Sequence, residues 1–427
     1  MAKWSKYNIL VEDDDYILFF NTRTGSLIRL DSDRQKQITG SSEIPNDFLS
    51  LLLNHGFLVG DDVDELELIA AIHESARDYK DSFSATIELT QACNFRCLYC
   101  YQTHTLNHMQ NQVQEHVISY LINKIRSVKH LHINWFGGEP LIRLNSLKEM
   151  SQRLKAEADI CGCTYSQFLT TNGYMITQSV AKELATIGIE NVQITLDGNE
   201  EIHNRLRVHA SGEGTYKRVL SACKFVVDND MELLVRINLN RLNFRQIDSL
   251  LSDLVSNGIT PTNTIIHVTR AVNHGNLNDK MSSAIFSPEE FAKAWIGILQ
   301  TISMYGFNLP TLAPLAYNCP FDLKRTVMIG SDGGIRHCSS SDHLIADITE
   351  TGNEADRTNL YQIIKERRPW EDLTCKECLY LPMCMGGCSY LQEIGEEKCI
   401  PERYILPELI LLSADQIRQK SIKIEGG

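Results

Sequence analysis

Thirteen cysteines constrain this 427-residue chain more than any other feature of its sequence. Three form the pattern Cys93-x3-Cys97-x2-Cys100, and seven more are spaced along the C-terminal quarter. Because the count is odd, disulfides cannot pair them all. The N-terminus leads into an acidic stretch rather than an apolar core, so we expect no signal peptide. Clustered cysteines in such a chain indicate metal binding or catalysis.

The composition is that of a folded protein with several domains. Hydrophobic residues make up 43% of the chain and charged residues 22%, which excludes disorder over most of its length. No apolar run approaches the roughly 18 residues of a membrane span, so we expect no membrane partner and a cytoplasmic location. The net charge of −13 disfavours a nucleic-acid partner, which would need a basic surface.

Residues 1–80 form a predicted N-terminal module. Three short β-rich runs separated by turn residues, with small helices after them, predict a winged-helix-like fold. An acidic segment at 61–66 and the lack of a basic recognition helix disfavour DNA binding. The predicted elements are strands at 7–11, 16–21 and 26–30, a short helix capped by Asp31, a helix at 48–54, a strand at 56–59 and a helix at 65–79.

The pattern changes near residue 84. From there to residue 270, β-rich runs alternate with amphipathic segments, which predicts an α/β domain with a parallel sheet and right-handed crossovers. Periodicity alone does not decide whether the sheet curls into a barrel. The predicted strands lie at 85–89, 131–136, 166–170, 192–196, 233–239 and 264–268, and the helices at 113–128, 147–157, 178–187, 216–227 and 244–255.

Residues 271–309 are predicted to connect this domain to the cysteine-rich C-terminal region. A polar loop at 271–287 is followed by a helix at 288–305, for which Ser287 and Glu290 form a capping box. After residue 318 we expect irregular structure, closed by a helix at 407–419.

The first cysteine group has the spacing of a cluster ligand set. Cys93, Cys97 and Cys100 follow the first predicted strand of the parallel sheet. Three thiolates on one loop can hold three irons of a 4Fe–4S cluster and leave the fourth open. A structural zinc site would need a fourth ligand, and none is local. The C-terminal ends of parallel strands are also where such folds place their chemistry.

With the motifs on the next strands, this loop resembles the radical S-adenosylmethionine (SAM) enzymes. Their hallmark is Cys-x3-Cys-x2-Cys with an aromatic residue before the third cysteine, here Tyr99. Gly137-Gly138-Glu139 follows the second strand and resembles the motif that receives the SAM amino group, since glycine lets the backbone approach closely and a carboxylate suits an ammonium. Asn172 follows the third strand.

The resemblance continues at the fourth strand. Thr195, Asp197 and Arg207 match residues that help to bind SAM in anaerobic sulfatase-maturing relatives, where an arginine fork suits the SAM carboxylate. The family has His-Asp before this arginine, but the present chain has His203-Asn204, so a role for that aspartate does not carry over. The resemblance implies a partial (β/α)6 radical SAM barrel over residues 84–270. It also implies a reduced cluster that cleaves SAM to a 5′-deoxyadenosyl radical, which then abstracts a substrate hydrogen.

The second cysteine group resembles the SPASM extension of radical SAM peptide modifiers, and we assign residues 310–427 to it. The resemblance implies two auxiliary clusters, making three 4Fe–4S clusters in all. The implied ligands are Cys319, Cys338 and Cys388 for the first auxiliary cluster, and Cys375, Cys378, Cys384 and Cys399 for the second. Cysteines Cys161, Cys163 and Cys223 are left over and are best explained as inert core residues.

One departure from the family bears on the reaction. Sulfatase-maturing relatives supply a fourth ligand to the first auxiliary cluster from a cysteine six residues after the first, where this chain has Arg325. An open iron could bind a substrate cysteine, lower the pKa of its thiol and hold its sulfur beside a carbon radical. The alternative is that another side chain or a water fills the position. A zinc site in this region is a further alternative, because Cys-x2-Cys with two nearby cysteines is often zinc-binding.

The segment from Ile17 to Leu30 resembles the PqqD-like recognition elements of peptide maturases. Such elements bind a leader peptide as an added strand at a sheet edge. The alternative is a packing domain that binds nothing.

These resemblances together predict a radical SAM enzyme that oxidatively modifies a ribosomally made precursor peptide. The leading reaction is a Cys sulfur-to-carbon thioether crosslink of the ranthipeptide or sactipeptide type, with flavodoxin or ferredoxin as electron donor. The alternatives are a carbon–carbon or carbon–oxygen crosslink, sulfatase-type protein maturation and, more distantly, a non-enzymatic zinc-stapled peptide-binding protein. The sequence does not indicate a general base.

Overall fold

A computed structural model describes residues 2–13, 16–40, 42–275, 277–341, 343–349 and 367–425. Part of the first predicted turn (Asp14 and Asp15) and residues 350–366 of the predicted C-terminal region lie outside the described residues. The chain divides into two compact units. The first contains Met1–Asp78, Leu309–Asp322 and Glu366–Gly427, and the second contains Tyr79–Asn308 and Leu323–Lys365.

The elements are numbered in chain order. The strands are β1 (Ala2–Trp4), β2 (Asn8–Glu12), β3 (Ile17–Asn21), β4 (Ser26–Leu30), β5 (Leu58–Gly60), β6 (Ser82–Glu88), β7 (Phe95–Cys97), β8 (His130–Phe136), β9 (Thr164–Thr171), β10 (Asn191–Thr195), β11 (Arg207–His209), β12 (Glu232–Leu239), β13 (Thr264–Arg270), β14 (Thr326–Ile329), β15 (Gly334–Arg336) and β16 (Leu344–Asp347). The helices are α1 (Ser32–Ile38), α2 (Asn46–Asn54), α3 (Glu65–Arg77), α4 (Asn111–Ile125), α5 (Leu144–Cys161), α6 (Gln178–Thr186), α7 (Glu200–Leu206), α8 (Tyr216–Val227), α9 (Ile247–Ser256), α10 (Asp279–Ser282), α11 (Pro288–Met304), α12 (Leu381–Cys384), α13 (Ser389–Glu393) and α14 (Leu406–Glu425).

The first unit is built on an antiparallel three-stranded sheet in the order β2-β3-β4. The three predicted strands and the helices α1 to α3 are confirmed, and Asp31 caps α1 by accepting from the Arg34 backbone N–H. Strand β1 also pairs antiparallel with β5, which the sequence pattern did not predict. Strands of three residues are too short to show a period.

A hydrophobic core joins the N-terminal sheet to the C-terminal segment within this first unit. Side chains of β2 and β3 share one buried cluster with side chains of α14, of α12 and of the residue before α12. The buried members are Val11, Leu18, Phe20, Tyr380, Met383, Leu406 and Ile410. Removing the N-terminal strands would therefore expose apolar surface contributed by the C-terminal segment.

The second unit contains a nine-stranded sheet in the order β13-β12-β10-β9-β8-β6-β14-β15-β16. The six predicted strands, β6 to β13 without the short β7 and β11, run parallel and in sequence order, so this prediction is confirmed. Since every right-handed crossover steps to the next strand in the same direction, the helices between them cover one face of the sheet. The result is a mostly parallel α/β fold consistent with a partial barrel.

Burial alternates along the strands of this sheet. On β12, Leu233, Val235 and Ile237 are fully buried, whereas Arg236 and Asn238, at the alternate positions, are partly exposed. Because successive side chains point to opposite faces of a strand, the apolar set faces the helices and the polar set faces the other side. We call that other side the open face of the sheet.

The expectation of irregular structure after residue 318 is wrong for residues 326–347. Strand β14 pairs in parallel with β6, from Thr326 opposite Ser84 to Ile329 opposite Ile87, and β15 and β16 extend the sheet. All four residues of β14 are buried. A strand that is buried on both faces shows no polar alternation, so a four-residue run carries too little signal to identify.

Helix termini follow the expected signals. The predicted capping box of Ser287 and Glu290 at the start of α11 is confirmed. In the described residues no helix is both long enough and apolar enough to cross a bilayer.

Asn204 caps a helix to which it does not belong. Its Oδ1 accepts hydrogen bonds from the backbone N–H groups of Thr215 at 2.7 Å and Tyr216 at 2.9 Å, at the start of α8. The Thr215 hydroxyl donates to the Arg207 carbonyl at 2.8 Å. The amide that stands where the family has aspartate therefore supplies a helix cap, and that cap also connects α8 to Arg207.

We expect Asn204→Leu to destabilise the protein by about 1–2 kcal/mol, because two helix N–H groups lose their acceptor. Asn204→Asp should keep near wild-type stability, since a carboxylate also accepts and is favourable at a helix N-terminus. The midpoint of urea unfolding measures both. An Asp variant as unstable as the Leu variant would contradict the capping role.

Candidate active site

The candidate site lies at one edge of the second unit's sheet. The C-terminal ends of parallel strands meet at the same edge, and loops after β6, β8, β9 and β10 there carry the predicted cluster and SAM residues. The cysteine loop begins five residues after β6 ends at Glu88. The two glycines follow β8 directly, Asn172 follows β9, and Asp197 follows β10.

A short ladder fixes the cysteine loop. Strand β7 pairs antiparallel with β11, and the register places Arg207 opposite Cys97. Backbone hydrogen bonds from Leu98 to Leu206 and from Ala210 to Asn94 extend the ladder at both ends. Arg207 therefore reaches the cysteine loop by strand pairing across 110 residues of sequence. The resemblance identified the arginine, but the pairing leaves no pattern in the sequence, because each strand is only three residues long.

The three thiols of this loop are free and partly buried. Burial raises the pKa of Cys93 to about 12 and that of Cys97 to about 11. Thiolates at these positions would therefore need the positive charge of a metal. Over the described parts of the chain, no three His, Cys, Asp or Glu side chains are gathered to hold one metal ion. In a 4Fe–4S cluster each thiolate binds a different iron, so such ligands do not need to converge on one point.

Gly137 and Gly138 pack against the start of the cysteine loop. A Cβ at Gly137 would lie 2.4 Å from the Thr90 carbonyl oxygen, and one at Gly138 would lie 2.4 Å from that of Ala92. Gly137 also has φ of +137°, which side chains disfavour. Backbone N–H groups of Gly138 and Glu139 donate to Thr90 and Ala92 at 2.8 Å. Only glycine allows this approach, which joins the end of β8 to the loop after β6.

The Glu139 carboxylate accepts hydrogen bonds from three groups of the chain itself. It accepts from the Leu141 N–H at 3.0 Å, the Thr171 hydroxyl at 2.7 Å and the Asn172 N–H at 2.8 Å. The side chain is completely buried. Burial raises its pKa, and the hydrogen bonds oppose that rise. The carboxylate thus joins the ends of β8 and β9, while its predicted contact with the SAM amino group stays a prediction.

Tyr99, Asp197 and Arg207 form one buried network. The Tyr99 hydroxyl donates to Asp197 and accepts from Arg207 Nη1 at 2.7 Å. Arg207 Nη1 also lies 3.8 Å from the Asp197 carboxylate. Burial raises the pKa of Asp197, and the Arg207 charge opposes the rise. Three residues predicted by resemblance to contact SAM therefore contact one another.

Asn238 at the end of β12 belongs to this network, although the sequence analysis gave it no role. Its Nδ2 donates to the Tyr99 hydroxyl at 3.3 Å, and its backbone N–H donates to Asp197 at 2.7 Å. A polar residue on an interior strand was the only sequence signal. Thr195, at the end of β10, is 8% exposed, and Asn172 donates to Asn94 at 2.7 Å and contacts Cys93 Sγ at 3.8 Å.

The second cysteine group is distributed over both units. In the first unit, Cys378 and Cys384 border the hydrophobic core, and the Cys375 N–H donates to Asp372 at 2.9 Å. The Cys388 N–H donates to the Lys398 carbonyl at 3.0 Å, beside Cys399, whose Sγ accepts from Arg403 Nη1 at 2.9 Å.

The two remaining predicted ligands of the first auxiliary cluster lie in different units. The Cys319 N–H donates to the Asp322 carboxylate at 3.1 Å in the first unit. Cys338 lies after β15 in the second unit, where its Sγ accepts from the Ser340 N–H. Both auxiliary ligand sets stay predictions. Arg325, the residue in place of a fourth ligand, directly precedes β14, and its carbonyl accepts from the Ser84 N–H at 2.9 Å.

Comparison with known proteins agrees with this geometry. The family model of the radical SAM superfamily matches residues 87–266. The radical SAM cyclopropyl synthase TigE of Paramaledivibacter caminithermalis is 24% identical over 59% of this chain and 60% of its own length. The cysteine-type anaerobic sulfatase-maturating enzyme of Clostridium perfringens is 23% identical over 74% of this chain and 90% of its own. The chain thus spans less than two thirds of the first of these relatives.

A solved structure extends the likeness in fold. Streptococcus suis SuiB bound to precursor peptide SuiA superposes with a TM-score of 0.54 at 16% identity, over 94% of this chain and 98% of SuiB. At that identity the match shows the fold alone. With the strand-end motifs and the family match, residues 87–266 are a radical SAM domain, and the relatives of the chain include a protein-maturating enzyme.

Proposed function

We propose that this protein oxidatively modifies a ribosomally made precursor peptide by forming a Cys sulfur-to-carbon thioether. The observation that carries the radical SAM part is the meeting of the Cys93–Cys97–Cys100 loop with the Gly137-Gly138 backbone at one sheet edge. The thioether part rests on Arg325, which cannot ligate iron where sulfatase-maturing enzymes have a cysteine.

The residues present fit the implied groups. Free thiols on one loop suit a 4Fe–4S cluster, and the two glycines let the end of β8 pack directly against the backbone at the start of that loop. When bound, a reduced cluster with SAM supplies a 5′-deoxyadenosyl radical that removes a substrate hydrogen. The chain's own part is to hold Tyr99, Asp197 and Arg207 beside the cysteine loop. The burial of Asp197 and Arg207 also limits the access of water to the site.

The first unit is the proposed peptide-binding part. Strand β2 is an edge strand of its sheet, and Leu10 in β2 is 47% exposed. An edge strand offers unpaired backbone groups to an added strand. The likeness in fold to SuiB, which was solved with precursor peptide SuiA, supports this assignment. An electron donor such as flavodoxin or ferredoxin, and auxiliary clusters in the C-terminal region, complete the proposal.

A carbon–carbon crosslink is the second candidate. The similarity to a cyclopropyl synthase favours it, because that relative is named for forming a carbocycle. Arg325 is the one feature of the sequence that separates the two reactions.

Tandem mass spectrometry distinguishes these reactions. The anaerobic mixture contains reconstituted enzyme, SAM, a reductant and the small peptide encoded beside the gene. We expect the peptide to lose two hydrogens and one alkylatable cysteine thiol. Loss of two hydrogens with every cysteine still alkylatable would assign a carbon–carbon or carbon–oxygen bond. The control is the Cys93→Ala, Cys97→Ala, Cys100→Ala variant, which should release no 5′-deoxyadenosine while retaining auxiliary-cluster absorbance.

We expect Gly138→Ala to weaken SAM binding at least tenfold. Its Cβ would meet backbone oxygens of Ala92 at 2.4 Å and Gln91 at 2.6 Å, so the cysteine loop would have to move. The matched control is Gly297→Ala in α11, where nothing lies within 4 Å. That change should leave SAM binding intact and stabilise the helix by about 0.5–1 kcal/mol. Anaerobic equilibrium dialysis of SAM measures the effect, and wild-type affinity in Gly138→Ala would contradict the need for glycine at this position.

We expect Leu10→Asp to weaken precursor binding roughly tenfold or more, since burying a leucine contributes about 1.5–3 kcal/mol. SAM cleavage without peptide should not change. Leu106→Asp is the control, because Leu106 is 86% exposed in the second unit. Fluorescence anisotropy of a labelled precursor measures binding. Equal affinity of both variants would show that the leader does not contact β2.

A further inference from the structure

Arg236 is a cation without a carboxylate partner. It lies in the middle of β12 on the open face of the sheet, and its Nε donates to Asn238 Oδ1 at 3.0 Å. Within the described residues no carboxylate oxygen lies within 4.0 Å of its guanidinium, and its Nη atoms have no acceptor there. Arg207, by contrast, is neutralised by Asp197 at 3.8 Å.

The Arg236 guanidinium is partly removed from water, so leaving its charge without an anion costs free energy. Burial lowers the pKa of Arg236, and the Arg207 charge acts in the same direction, whereas Tyr101, Tyr99 and the Asp197 carboxylate oppose the shift. A partly desolvated guanidinium is stabilised most by an anion that accepts its paired N–H groups, and a carboxylate matches that fork. The open Nη atoms on this face therefore fit a carboxylate that comes from a ligand.

His267 stands beside Arg236 on the neighbouring strand. The β12–β13 register pairs the two residues directly, and His267 is exposed on the same face. Partial desolvation of the ring by the atoms around it and the Arg236 charge lower the pKa of His267 to about 4. The neutral ring still carries one N–H donor. The pair thus offers a charged guanidinium and a neutral imidazole N–H donor to one ligand group.

Asn238 connects this pair to the candidate active site. Its Oδ1 accepts from Arg236 and from the Thr269 hydroxyl at 3.2 Å, while its Nδ2 donates to Tyr99. Arg236 lies two residues before Asn238, roughly 6.6 Å along the strand. A carboxylate on Arg236 would therefore lie beside the Tyr99–Asp197–Arg207 network, one strand repeat away from it.

We propose that Arg236 and His267 form a subsite for the carboxylate of an Asp or Glu side chain in the peptide substrate. This inference rests on the proposed function and adds that the modified region of the peptide contains an acidic residue. The subsite fixes that residue against the sheet and so determines which neighbouring carbon faces the radical. The SAM carboxylate is the other source of the same chemistry, and the experiment separates the two.

The test uses two small probes, N-acetyl-aspartate amide and N-acetyl-asparagine amide, with the reconstituted, SAM-loaded enzyme. Saturation-transfer NMR under anaerobic conditions gives their dissociation constants. We expect the aspartate probe to bind at least tenfold more tightly than the asparagine probe. Arg236→Gln should abolish the difference, and His267→Phe should reduce it. Arg245→Gln, which removes an exposed arginine just after the same strand, should leave it unchanged.

Three results would overturn the subsite. They are equal binding of the two probes to the wild type, an undiminished difference in both Arg236→Gln and His267→Phe, and a tenfold loss of SAM affinity in Arg236→Gln. The last result would assign the carboxylate to SAM. The His267 variant keeps the test informative if Arg236→Gln does not fold. Release of 5′-deoxyadenosine by the wild type tests the proposed function separately, since an enzyme that fails to cleave SAM could still distinguish the two probes.

Discussion

The candidate active site depends on the unbroken order of six parallel strands. Because no strand in the run from β6 to β13 reverses the order, the helices cover one face and the loops after the strands meet at one edge. Every residue predicted to contact the first cluster or SAM lies at or near that edge. The same order leaves the opposite face to polar side chains. The site and its open face are thus consequences of a single topological constraint.

At that edge, backbone hydrogen bonds hold the cysteine loop in place. The β7–β11 ladder fixes Cys97 opposite Arg207. The hydrogen bonds that the backbone N–H groups after β8 donate to the Thr90 and Ala92 carbonyls fix the start of the cysteine loop. The charged side chains beside this loop compensate one another. The Asp197 carboxylate, the Tyr99 hydroxyl and the Arg207 guanidinium share a buried network, which offsets the cost of removing two charges from water.

This neutralisation distinguishes the two arginines near the site. Arg207 is tied to Asp197, and its carbonyl also accepts from Thr215, the residue before α8. Among the described residues, Arg236 makes one side-chain hydrogen bond, to the Asn238 amide, and it has a histidine neighbour whose pKa its charge lowers. An arginine that is already paired serves mainly to organise the loop, whereas one with open donors can select a ligand. The group that selects a ligand by its charge would then lie on a strand of the sheet rather than in the cysteine loop.

The sequence by itself determined the parallel α/β domain, the capping of α1 and α11, and the motifs at the strand ends, because these depend on local periodicity and on spacing along the chain. It did not reveal β14, which is buried on both faces, or the three-residue strands β7 and β11, which exist only as each other's partners. The sequence by itself also did not reveal the contacts of Asn204, Asn238 and Arg236. Each depends on an acceptor or donor supplied by a distant segment, and only the tertiary structure brings those segments together.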